Sequence, residues 1–428
     1  MLNWLELLVI ERYFTKPYRF IPPYRSTWWC RLAAPLLPLY LRQLLRIARW
    51  KFEGIDALRA SLAQGAGILL TANHCRRADP LVISLLGIHL RQFFYYTVAY
   101  HQFKQSRLMG WLMHRLGGYS LWREGMDRES LRMSIRLLSE AERPIVLFPE
   151  GTWFRQNDRL GPLQEGATLI LRQAARLGQR PVVVHPLAIK YWLLEDPRPA
   201  LHRRLEALES RLSWSPQADI GLVARIEKLA SALLAIKECE LWSIAQTGTL
   251  DERIQRLADA HVSMQEVVLF GKASDGWMLK RIRRLRQILV RQLVEETDAK
   301  KIMDARHALH LLVFCENVSA NSHDYLRERP SFERLTETVL RIEETLHDDI
   351  ETAVAPVGVT LAVGPAIEIH KFPATRKPGS DPLLKEIACG IQGLLDRMLA
   401  SGPPPEWGCP PPIEKASAAW SARSTVPE

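Results

Sequence analysis

His74 and Asp79, five residues apart in the run Asn73-His74-Cys75-Arg76-Arg77-Ala78-Asp79-Pro80, could move a proton between them and a bound substrate. Across a tight turn the carboxylate fixes the imidazole tautomer and stabilises the imidazolium formed when the ring takes up a proton. The spacing alone is a weak signal, because the same histidine could simply cap a following helix. Two further groups add to it. Pro149-Glu150-Gly151-Thr152 closes an apolar run, and such a turn offers Glu150 together with free backbone N–H groups that suit a phosphate or an oxyanion. Gly117-Gly118-Tyr119-Ser120-Leu121-Trp122-Arg123 sets Arg123 behind two glycines that permit close backbone approach, where a guanidinium could grip a phosphate with two parallel hydrogen bonds. Taken singly, Glu150 could be a helix cap and Arg123 a surface ion pair.

The elements that must position these residues follow from hydrophobic periodicity. Gly67 to Thr71, Phe93 to Val98, Ile145 to Phe148 and Pro181 to Ala188 are strand-length apolar runs, and helical patterns such as Pro80 to Leu86 and Arg128 to Glu140 lie between them. That alternation predicts an α/β fold with a mainly parallel or mixed sheet flanked by helices. His74 then sits on the loop leaving a strand's C-terminal end, the edge where such sheets bind ligands. From about residue 200 to 354 helical periodicity dominates, including a basic amphipathic stretch from Met278 to Leu293. Strand character returns at Val357 to Val363 and Ala366 to Ile369, followed by a helix from Pro382 to Leu399. The chain therefore divides into an N-terminal segment (1–55), a core (56–199), a large helical insertion (200–354), a return of the core (355–400) and a Pro-rich, disordered tail (401–428). No internal repeat is evident.

The 428 residues carry a formal charge of +10, which favours phosphate-bearing partners. The first 60 residues hold ten Arg or Lys against Glu6, Glu11, Glu53 and Asp56, mixed with Trp4, Tyr13, Phe14, Trp28, Trp29 and other aromatics. That composition suits interfacial helices on an anionic membrane surface. The longest apolar run there, Leu32 to Leu41, is interrupted by Pro35 and Pro38 and falls short of the roughly 20 residues needed to span a bilayer. With no signal-peptide pattern, the expectation is peripheral, monotopic attachment on the cytosolic face. The six cysteines include no C-x-x-C pair, so neither a zinc finger nor a disulfide framework is expected. The basic residues join no nucleic-acid recognition motif, and no nucleic-acid partner is expected.

Four blocks in this order, NHCRRAD, GGYSLWR, FPEGT and VVVHPLA, resemble the glycerophosphate acyltransferase superfamily, closest to the 1-acylglycerol-3-phosphate acyltransferases. The resemblance covers residues 50 to 192 and more loosely 356 to 399. It implies an acyltransferase that moves a fatty acyl group from acyl-CoA or acyl-carrier protein to the free hydroxyl of 1-acylglycerol-3-phosphate or a related lysophospholipid acceptor, without cofactor or metal. His74 would be the general base and Asp79 its partner, with Asn73, Arg123, Glu150, Gly151 and Thr152 around the substrate. The absence of G-x-S-x-G argues against a serine acyl-enzyme, so the acceptor hydroxyl would attack the thioester directly. Two departures stand out: Trp153 replaces the arginine that usually follows FPEGT, and Cys75-Arg76-Arg77 follows Asn-His. Arg155, or Arg76 and Arg77, would restore the lost charge, whereas Trp153 could stack on a bulkier headgroup. A different acceptor, such as another lysophospholipid or an amino-lipid, and a non-catalytic membrane-binding scaffold are the alternatives.

Overall fold

The computed structural model of the protein describes residues 18–152, 155–319, 324–346, 353–373 and 381–411. Its strands are Ile47–Glu53 (β1), Gly67–Ala72 (β2), Tyr95–Ala99 (β3), Gly118–Leu121 (β4), Ile145–Leu147 (β5), Val182–Leu193 (β6), Val357–Val363 (β7) and Ile367–Glu368 (β8). They form one sheet in the order β1-β7-β6-β2-β5-β3-β4, with β8 beside β6. All neighbours are parallel except β7 and β8, which run antiparallel to β6. Every residue of β2, β6 and β7 is buried, as expected for near-continuous apolar strands covered on both faces.

Helices Trp28–Ala33 (α1) and Leu37–Gln43 (α2) precede β1. Ile55–Ala63 (α3), Asp79–His89 (α4), Tyr100–Lys104 (α5), Arg107–Arg115 (α6), Arg128–Glu140 (α7) and Gly166–Arg176 (α8) alternate with the strands up to β6. Between β6 and β7 come Arg198–Arg211 (α9), Leu222–Trp242 (α10), Leu250–Phe270 (α11), Met278–Glu295 (α12), Ala299–Ser319 (α13), Asp324–Glu328 (α14) and Phe332–Leu346 (α15), and Pro382–Ser401 (α16) follows β8. One face of the sheet packs Ile68, Leu70 and Leu361 against Leu58 of α3 and Val82, Ile83 and Leu86 of α4. The other packs Leu69, Val184 and Ala188 against Leu137 of α7, Leu171 of α8 and Leu383, Ile387 and Leu394 of α16. The result is a layered α/β domain with a helical region beside it.

Three sequence expectations change. The first concerns β1, which lies inside the segment assigned to the membrane interface yet pairs with β7 from Ile47 opposite Val357 to Glu53 opposite Ala362. Its Arg49, Lys51 and Glu53 alternate with apolar residues, and those charges mask the strand. The tail is the second. Trp407 is buried with its ring against Gly358, where an added Cβ would come within 2.3 Å, and Arg49 donates to the Glu406 carbonyl at 2.6 Å. Residues 402–411 are therefore docked on the sheet, while 412–428 lie outside the described residues.

The third is a repeat. Glutamates 209, 238 and 266 and arginines 225, 253 and 281 recur at steps of 28 or 29 residues. In each unit the buried glutamate, near the end of one helix, takes hydrogen bonds from the arginine of the next: Arg225 Nη2 at 2.6 Å, Arg253 Nη2 at 2.8 Å and Arg281 Nη2 at 2.8 Å. The same carboxylate accepts a loop N–H eight residues on, from Gln217 at 3.1 Å, Gln246 at 2.9 Å and Ser274 at 2.8 Å. One helix and its turn thus form a repeating unit whose buried loop amide is satisfied by its own carboxylate. Two fixed positions in some 28 are too sparse to register as self-similarity. The apolar stripe of α12, Leu279, Ile282, Leu285 and Leu289, packs with α11 and α13 as most such stripes do, and Arg281 is buried.

Candidate active site

Strand β2 ends at Ala72, one residue before the loop that carries His74, while β6 continues to Leu193. The exposed edge of β6 beyond that point would leave backbone groups unpaired in the interior, and two asparagines take the missing strand's place. Asn73 donates to the Ile189 carbonyl at 3.0 Å and accepts the Ile189 N–H at 2.8 Å. Asn157 does the same at Tyr191, with both bonds at 2.7 Å. Side-chain amides thereby extend the ladder, and the chain is free to turn away into the 74–78 loop. Asn73, expected among the substrate-binding residues, has both ends of its amide committed to β6.

Asp79 opens α4 and is fully buried. Its Oδ2 meets His74 Nδ1 at 2.8 Å and also accepts the N–H groups of Cys75 at 2.8 Å and Arg76 at 2.9 Å. Its Oδ1 accepts the Tyr191 hydroxyl at 2.7 Å. Four donors converge on one carboxylate, which fixes the carboxylate in place, directs the Nδ1 proton of His74 toward it and turns Nε2 outward. The His74 ring stacks on Phe148 at 4.1 Å between centroids, and its side chain is 21% exposed. Among the described residues Nε2 has no hydrogen-bond partner.

Glu150 joins this loop to the next one. Its Oε1 accepts the His74 N–H at 2.6 Å and its Oε2 the Gly161 N–H at 2.7 Å, and the residue is 2% exposed. Burial pushes its carboxyl up to about 8, against the pull of those two N–H groups. Where the sequence suggested contact with the acceptor, both oxygens of Glu150 are committed to backbone N–H groups, and the side chain holds the loop that carries His74. Gly151 has φ +74, and an added Cβ would strike Gln164 Nε2 at 1.6 Å, the amide that donates to the Glu150 carbonyl at 3.0 Å. Glycine is required there by both conformation and space. Thr152 is half-buried in the same turn. Trp153 lies outside the described residues, and Arg155 is buried with φ +48, so it is not presented to solvent. Arg76 lies with its guanidinium 4.4 Å from the Tyr191 ring centroid, and Arg77 is exposed.

Arg123 follows β4 and is half-buried. Burial lowers its affinity for its proton, with Glu316 and Glu124 opposing and Arg286 adding to the effect. His101 of α5 is held neutral, its pKa pushed down to about 3 by burial and by Arg123, Arg286 and Arg77. Two of these neighbours come from the helical region. Arg286 of α12 is saturated, bonding both oxygens of Glu124 at 2.6 and 3.3 Å and also Glu316 of α13. Arg283 of the same helix reaches the Glu150 carbonyl at 3.5 Å.

Sequence reasoning missed Tyr191, Asn157, Gly161, Gln164 and Arg283. Tyr191 and Asn157 meet the site only through the sheet's pairing, and Arg283 only through the path of the helical region, so no local pattern marks them. Phe148 stood in a quoted motif but without a role.

A profile of the family described as Acyltransferase matches residues 49–190, from within β1 to within β6, and no curated protein matches the chain. The matched span contains the four blocks, the His74–Asp79 pair and the Glu150 turn. Residues 49–190 are thus similar to the Acyltransferase family, a likeness that supports a general acyltransferase role for this part of the chain.

Proposed function

We propose that the protein transfers a fatty acyl group from a thioester, acyl-CoA or acyl-carrier protein, to the free hydroxyl of 1-acylglycerol-3-phosphate or a related lysolipid. The observation that carries this reading is the buried, four-donor Asp79 carboxylate holding His74 at 2.8 Å with Nε2 unoccupied. Nε2 takes the proton of the acceptor hydroxyl as its oxygen attacks the thioester carbonyl. Asp79 stabilises the imidazolium, and the proton passes on to the departing thiolate. Glu150 keeps His74 aimed by its bond to the backbone, and Arg123 takes the acceptor's phosphate.

Attachment to an anionic membrane surface is part of the proposal. Trp28, Leu32, Leu36 and Leu39 on α1, α2 and their connection, Leu44 just after α2, and Leu108 on α6 are exposed, each more than 50%. Arg31 and Arg42 lie among them. Trp29 joins α1 to α6 by an edge-on contact with Trp111 at 4.7 Å. Apolar side chains mixed with cations suit a lipid interface, and no described helix is long and apolar enough to cross a membrane.

Incubating purified protein with labelled acyl-CoA, acyl-carrier protein and a panel of lysolipid and amino-lipid acceptors tests the reading. Acylated lysophosphatidate is the expected product. A protein that binds liposomes yet acylates nothing in the panel overturns it in favour of a scaffold.

A further inference from the structure

The arginines around the mouth of the site do not balance. Arg123, Arg283 and Arg286 gather about His101, Glu124 and Glu316. Three positive charges against two negative ones leave a surplus of one, with His101 neutral. Arg286 absorbs both glutamates through its bonds to Glu124 and Glu316. Arg123 makes no hydrogen bond or ion pair among the described residues, and Arg283 has one long bond to a carbonyl, at 3.5 Å.

Burial disfavours the charged form of both Arg123 and Arg283, and an anion between them would relieve that penalty. A phosphate ester, whose several oxygens can each meet a guanidinium fork, can bridge two arginines that have no carboxylate of their own. The position also fits. The carbonyl Arg283 touches belongs to Glu150, whose carboxylate holds the His74 N–H, so a group bound by Arg283 lies beside the catalytic loop.

We infer that Arg283, delivered by α12 of the helical region, is a specificity residue that holds a substrate phosphate together with Arg123. This rests on the acyl-transfer reading of the same site. The helical region is thereby part of the substrate site, and the phosphate belongs either to the acceptor's headgroup or to the donor's carrier.

The test uses the full chain with Arg283→Ala, Arg283→Lys and, as a control, Arg284→Ala, whose exposed guanidinium lies over Phe270 at 4.2 Å. KM for lysophosphatidate, for a monoacylglycerol lacking phosphate and for acyl-CoA, and kcat, are measured for each. Arg283→Ala is expected to raise the KM of lysophosphatidate about tenfold or more, the scale of one charge-assisted bond. Expected with it are kcat within about twofold, an unchanged KM for monoacylglycerol, partial rescue by lysine and no effect of Arg284→Ala. A rise confined to the KM of acyl-CoA supports the same site and assigns the phosphate to the donor. Unchanged constants, or equal losses with phosphorylated and neutral acceptors, overturn the inference. Thermal unfolding of the variants shows whether such a loss is one of folding. Wild-type protein with no transfer to any acceptor instead defeats the reading on which this one rests.

Discussion

Arg281 and Arg283 lie two residues apart on one helix and are treated in opposite ways. Arg281 is buried between Glu266 and Asp259 and donates to Ser263 as well. Arg283, half-buried, has among the described residues one hydrogen bond, to a carbonyl at 3.5 Å, and a distant face of Trp277 at 6.0 Å, at the edge of a crowd of like charges. The same contrast separates the carboxylates. Hydrogen bonds from Arg225 hold Glu209 below the usual carboxylate range, whereas Glu150, with N–H donors but no cation bonded to it, is pushed up to about 8 by burial. An arginine whose carboxylate is built into the fold serves structure, and one left without a carboxylate is a candidate to meet a ligand's charge, whereas Glu150 shows the same shortage for a carboxylate that serves its own loop.

The largest way to break this comparison is to delete a paired arginine. Arg253→Ala strands the buried Glu238 carboxylate, leaving one loop N–H from Gln246 as its remaining bond, and should destabilise the protein by about 3–5 kcal/mol. Arg283→Ala should leave the denaturant midpoint nearly unchanged. Equal destabilisation by the two would erase the distinction between structural and ligand-binding arginines.

A second, smaller effect concerns attachment. Lys280, Arg284 and Arg291 of α12 are exposed, but its apolar stripe is packed against α11 and α13 and leaves nothing to insert, so liposome binding should depend on α1 and α2. Trp28→Ser with Leu36→Ser should weaken binding to anionic vesicles about 30-fold or more, since each exposed apolar side chain contributes on the order of 1–2 kcal/mol when inserted. Lys280→Ala with Arg284→Ala should change it little. Sedimentation with vesicles decides between them, and the reverse ranking would return membrane contact to α12.

The smallest effect sharpens the carboxylate comparison. Because the folded pKa of Glu150 lies above its ordinary value of 4.5, its contribution to stability is fully present below about 4.5 and is lost as pH rises toward 8. Glu209, held low by Arg225, works in the other direction, contributing above the ordinary carboxylate range and losing that contribution on acidification. Glu150→Gln should flatten the fall in stability between pH 4.5 and 8, and Glu209→Gln should flatten the acid limb. Unfolding curves across that range would contradict the assignment if both variants altered the same limb.

How much of this was legible in the sequence depends on how local each signal is. The runs at β2, β3 and β5 and the helix Arg128–Glu140 were readable because the period of 2 or 3.6 is carried within each segment. Strand β6 runs on past Ala188 to Leu193, and Lys190 hides that extension because it reads as a surface residue. It is buried, bonded to Asp158 at 2.5 Å, and Asp158 is shared with Arg334 at 2.9 Å. His74 and Asp79 were legible as a pair because five residues span one turn. The groups that complete them were not. Tyr191 reaches Asp79 from over a hundred residues away, Arg283 reaches Glu150 from the fourth helix after β6, and neither contact leaves a spacing to read. Glu150 was legible as important yet assigned the wrong contact, since its motif does not reveal which way the carboxylate turns.

The central claim is that His74 removes the acceptor's proton while other parts of the molecule bind the substrates and the membrane. Single-turnover acyl transfer by His74→Ala, measured beside vesicle binding of the same preparation, tests it most directly. The account predicts a fall in rate of about 10²–10⁴ with vesicle binding unchanged. Transfer at the wild-type rate would contradict it.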